Sequence, residues 1–138
     1  MRATRAILPA TLSALAACSA PQVEADLRPS CDPLDGPAFE ILIPDGERVV
    51  TADGPGWPDA GDGHYEINAG DPMEQVTIRL CDTDLTACEA ASLGSFALSP
   101  RAEGGFGGTL QAVFPEGGSR RLTFTALQDE DHDPPLCG

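Results

Sequence analysis

The chain has 138 residues, of which 22 are acidic and 8 basic, for a net charge of −14. There is no lysine. A surface this negative repels nucleic-acid phosphates and anionic headgroups, which excludes nucleic acid as a partner and excludes membrane binding through a polybasic patch.

At the N-terminus, Met1–Arg5 is short and basic, Ala6–Ala14 is uncharged and mostly apolar, and small residues lead to Cys18. This order is that of a secretory signal. The apolar run is too short for the ~20 residues that a bilayer-spanning helix needs, and Pro9 interrupts it. From Ser19 to Ser30 (SAPQVEADLRPS) the composition reads as a tether, with a flexible reach of roughly 20 Å. The folded domain is then expected over residues 31–138.

Beyond Cys31 the apolar residues alternate with period two. Phe39, Ile41 and Ile43 share one face, with Glu40 and Leu42 on the other. After the turn Pro44-Asp-Gly46, Val49 and Val50 open a second strand. Tyr65, Ile67 and Ala69 form a third, Val76, Ile78 and Leu80 a fourth, and Leu93–Leu98 a weaker fifth. Leu110, Ala112 and Phe114 point one way in a sixth strand, as do Leu122, Phe124 and Ala126 in a seventh. Period-two alternation marks half-buried strands, and the Gly-, Pro- and Asp-rich breaks supply turns. Pro115–Ser119 joins the last two as a hairpin. The expected fold is all-β, a small antiparallel β-sandwich or barrel of about seven short strands. An immunoglobulin domain fits less well, because Trp57 lies in Pro55-Gly-Trp-Pro58, which cannot be an interior strand.

Leu15-Ala16-Ala17-Cys18 resembles the lipobox of bacterial lipoproteins. The resemblance implies that residues 1–17 are a signal peptide cut by signal peptidase II, and that Cys18 carries a diacylglycerol. The mature chain would hold 6 basic against 22 acidic residues, without Arg2 and Arg5. It would be anchored in the bacterial cell envelope through its acyl chains. Ser19 after the cysteine implies sorting to the outer membrane, facing the periplasm, in a Gram-negative cell. The C-terminal stretch from Gly94 to Cys137, with Gly108–Phe114 and Leu122–Ala126, resembles a hairpin pattern of uncharacterised bacterial lipoproteins, which implies a fold and no activity.

Setting Cys18 aside leaves Cys31, Cys81, Cys88 and Cys137. An even set in an exported domain reads as two disulfides, with three connectivities open. Cys81–Cys88 with Cys31–Cys137 is preferred, since the first closes a short loop between strands and the second ties the start of the domain to its end. The Cys81-x6-Cys88 spacing is not that of a zinc site.

Candidate chemistry is sparse. The loop Asp53–Gly63 (DGPGWPDAGDG) offers Asp53, Asp59 and Asp62 as oxygen ligands for calcium, without EF-hand spacing. Trp57 is either a platform for a ligand or a lid folded over the core, and the lid is the expectation. Asp82 and Asp84 either bind calcium weakly or cap a turn. In the run Asp129-Glu-Asp-His-Asp133, Asp129, Asp131 and Asp133 could hold a divalent metal or meet a basic partner, or simply be solvated. His64 and His132 are the only histidines, and no Gly-x-Ser-x-Gly or His-Glu-x-x-His motif occurs. The expectation is a non-catalytic, lipid-anchored envelope protein with a binding or structural role and no cofactor, contacting the membrane through its anchor and an envelope protein through its edge strands and acidic surface. The alternatives are a calcium- or small-ligand-binding β domain and an envelope hydrolase built on paired carboxylates.

Overall fold

The computed structural model describes residues 22–31, 36–58, 61–67, 76–128 and 136–137. Among them the fold is all-β, with nine strands: β1 (Val23–Cys31), β2 (Pro37–Asp45), β3 (Arg48–Pro55), β4 (Gly63–Glu66), β5 (Thr77–Asp82), β6 (Cys88–Ala90), β7 (Leu93–Pro100), β8 (Phe106–Phe114) and β9 (Gly118–Gln128). They form one sheet in the order β4-β7-β8-β9-β1-β2-β3-β5-β6, curled into a half-barrel.

Two strands go beyond the seven expected. The short β6 pairs with β5 around Cys81 and Cys88. The larger correction is β1, which occupies most of the segment read as a tether. It pairs antiparallel with β2 on one side and parallel with β9 on the other, and buries Ala25 and Leu27. The sheet is therefore mixed, and only residues 19–22 separate Cys18 from β1. Val23, Ala25 and Leu27 do alternate, but a strand rich in charge with Pro29 near its end is stabilised by its neighbours rather than by local preference.

The core is the concave side of the sheet. The inward residues are those the alternation assigns: Phe39, Ile41 and Ile43; Ile78 and Leu80; Leu110, Ala112 and Phe114; Phe124 and Ala126. Curling brings distant strands together. Phe39 on β2 meets the edges of Tyr65 on β4 at 5.3 Å and Phe96 on β7 at 6.1 Å, while Tyr65 and Phe96 stack at 4.7 Å. Two glycines make room for rings. Opposite Phe39, a Cβ on Gly54 would lie 2.5 Å from the ring, and opposite Phe124 one on Gly108 would lie 2.2 Å away.

The β6 edge is clasped to the opposite half. The Glu89 carboxylate accepts hydrogen bonds from the backbone N–H groups of Glu116 and of Gly117, the latter at 3.1 Å, in the β8–β9 turn. Arg120, facing inward on β9, reaches Asp45 at the end of β2 across a 3.2 Å ion pair. Cys31–Cys137 and Cys81–Cys88 are both formed, the first spanning 106 residues and the second 7.

Candidate functional site

The outward face of the sheet divides into two chemically different halves. From β1 to β5 it is charged. Arg28, Glu40 and Asp53 stand side by side in register, with Arg28 Nε 3.1 Å from Glu40 and Arg79 Nη2 3.4 Å from Asp53. From β7 to β9 it is not. Residues 93–100, 106–114 and 118–128 contain no Asp or Glu, in a chain that has 22. Their outward positions carry Leu93, Ser95, Ala97 and Ser99; Thr109, Gln111 and Val113; Ser119, Arg121, Thr123, Thr125 and Leu127. Arg121 is the single charge among them, and it donates to Gln111 Oε1 at 3.1 Å rather than to a carboxylate.

At the head of this face lies an open groove of about 560 Å³, whose lining includes Glu66, Leu93, Ser95, Gln111, Val113 and Arg121. Pairing explains the arrangement. Glu66 on β4, Ser95 on β7, Gln111 on β8 and Arg121 on β9 are successive partners in one cross-strand row. Leu93, Val113 and Ser119 form the next row. Leu93 is 67% exposed and Val113 40%, an apolar cross-strand pair left in solvent beside a lone cation. Individual residues of this face were read in the sequence only as strand positions. The available signal was the gap in the acid distribution over residues 93–128, broken only by Glu103 and Glu116 in the turns.

The acidic residues considered as calcium ligands are not assembled by the described residues. Asp53 engages Arg79, and Asp62 is exposed. Asp59, Asp129, Asp131 and Asp133 lie outside the described residues, as do His132 and Cys18. Among the described residues no three His, Cys, Asp or Glu side chains converge as metal ligands. Asp82 caps its turn, accepting from the Thr86 hydroxyl and backbone N–H, both at 2.9 Å, and these bonds hold its carboxyl below the usual range. Trp57 follows β3, is 41% exposed and lies outside the core cluster.

Asp53 is unusual in another respect. Burial, reinforced by the like charge of Glu40, pushes its carboxyl from an ordinary 3.8 up to about 6, against the opposing pull of Arg79 and Arg28. The folded state therefore holds this proton more tightly than the unfolded chain, and stability is lost as pH rises from about 3.8 to about 6. Asp53→Asn keeps an oxygen acceptor for Arg79. It should be more stable than the parent by about 1–2 kcal/mol at neutral pH, after discounting for residual solvent exposure, and equal to it below the ordinary carboxylate pKa. Denaturant titrations at pH 7.5 and 3.5 check this. A difference that is the same at both values would mean that Asp53 does not titrate as argued.

No protein-family profile, curated protein or solved structure matches this chain.

Proposed function

We propose that the protein is an exported envelope domain held on a bacterial membrane by acyl chains on Cys18, and that it works by binding rather than catalysis. The observation that carries the binding role is the acid-free outer face of β7–β9, with Leu93 and Val113 exposed beside Arg121. In a chain of this net charge, the place where a partner meets the fewest carboxylates, with Glu66 at the β4 border of the groove, is the place to expect contact. The anchor rests on the lipobox, and the cysteine pairing is consistent with it. The other four cysteines are joined to one another, so Cys18 has no need of a disulfide partner within the chain. With β1 beginning at Val23, the link to the lipid is four residues, which reach about 14 Å at full extension. The domain therefore sits close to the bilayer, with the start of β1 toward it.

The test is the intact mass of the protein extracted from native membranes, compared with that of Cys18→Ser. The expected species begins at an acylated Cys18 and lacks four hydrogens for two disulfides, whereas the Cys18→Ser chain carries no acyl mass and leaves the membrane fraction. An unacylated parent chain, or one that keeps residues 1–17, would overturn the proposal.

A further inference from the structure

We infer that the β7–β9 face pairs with the same face of a second copy, as an isologous two-fold dimer standing on one membrane; this rests on the anchored reading above. The row Glu66–Ser95–Gln111–Arg121 carries a negative charge at one end and a positive charge at the other. Across a face-to-face contact, a two-fold axis parallel to the strands reverses each row while preserving its height. Glu66 then meets Arg121 of the second copy, and Arg121 meets Glu66 of the second copy. With the axis between β7 and β8, Leu93 falls on Val113 of the second copy, burying the exposed apolar pair twice. Self-complementarity of this kind is what a closed two-fold contact requires.

The alternative face-to-face symmetry fails on charge. A two-fold axis along the row would set Glu66 against Glu66 and Arg121 against Arg121. That axis would also point the two β1 strands in opposite directions, whereas an axis parallel to the strands leaves both N-termini at the same end. The arrangement that pairs opposite charges is thus the one that lets both lipid anchors enter one bilayer. Elsewhere on the sheet, two copies would bring acidic side chains together, as at Glu24 and Asp26 on β1 or Glu40 and Asp53 on β2 and β3. From β4 to β9 the face spans three strand gaps, about 14 Å. A contact of this size is small for a free dimer and is supported by the raised effective concentration of copies confined to a membrane. Glu66 is available for it: its side chain is 59% exposed, with His64 of its own strand 3.3 Å away.

The test is a charge swap in the full-length protein, reconstituted in lipid vesicles and scored by chemical cross-linking across a range of protein-to-lipid ratios. The parent chain should give a cross-linked dimer. Arg121→Glu and Glu66→Arg, each alone, should weaken association by about tenfold or more. The double variant Glu66→Arg with Arg121→Glu should restore it, because each reversed charge again meets its complement. Leu93→Asp should abolish it. A parent chain that stays monomeric at every ratio would overturn the inference, as would a dimer indifferent to the single reversals. Loss on single reversal without recovery in the double variant would also overturn it, pointing instead to a different charged partner. Mass measurement on the same sample separates the two readings. An acylated monomer refutes the dimer alone, whereas an unacylated chain lacks the membrane confinement that supports the contact and overturns both.

Discussion

Replacing Cys31 and Cys137 together with serine should lower stability by about 4–5 kcal/mol, because this bridge closes nearly the whole domain and its removal releases that loop in the unfolded chain. The span is 106 residues, against 7 for Cys81–Cys88. Removing the shorter bridge should cost only about 2–2.5 kcal/mol by the same loop-entropy argument. The midpoint for the first variant should fall by roughly 15 °C or more. Topology sharpens the contrast. Cys31 ends β1, the strand that joins the β7–β9 half to the β2–β5 half, whereas Cys81–Cys88 ties only the edge strand β6. Thermal melts of both double-serine variants decide the matter. Equal losses would show that loop length does not set the contribution of these bridges.

A second large effect is expected at the Phe124–Gly108 pair. Phe124 is fully buried, and Phe124→Ala should cost about 3–5 kcal/mol through lost burial and the cavity left behind. Gly108→Ala should cost about 1–3 kcal/mol by overpacking, since its new Cβ would press into the ring. The two should not add. With Phe124 already reduced to alanine, the clash is gone, and the added methyl fills part of the cavity. The double variant should therefore be more stable than the sum of the single losses predicts, by about 1 kcal/mol or more. Denaturant midpoints for the four chains of the cycle measure this. Simple additivity would mean that the ring does not depend on the glycine opposite it. The same geometry recurs at Phe39 and Gly54, so an aromatic ring laid over a cross-strand glycine is used twice in this core.

Much of the core was legible in the chain. Runs such as Phe39-x-Ile41-x-Ile43 and Leu122-x-Phe124-x-Ala126 place one side chain in two on the same face, whatever the strand pairs with, so inward and outward positions follow from periodicity alone. The strand β1 was not legible, since one of its two pairings, with Phe124–Gln128, spans about a hundred residues, and Glu24, Asp26, Arg28 and Pro29 mask the alternation of Val23, Ala25 and Leu27. The exposure of Trp57 was equally out of reach, because whether a ring folds back depends on what stands beneath it.

The sequence by itself determined the β class, the alternation that fills the core, the charge of the chain and the absence of acids from three successive strands, for these are properties of residue identity and spacing. Only the tertiary structure decided that β1 lies between β9 and β2, and that β4 joins the acid-free strands at the β7 edge. It also decided that Glu66 and Arg121 stand at opposite ends of one row. Each of these depends on pairing between segments far apart in the chain. Such pairing is selected by the burial of the whole sheet at once, and no local stretch of residues encodes it.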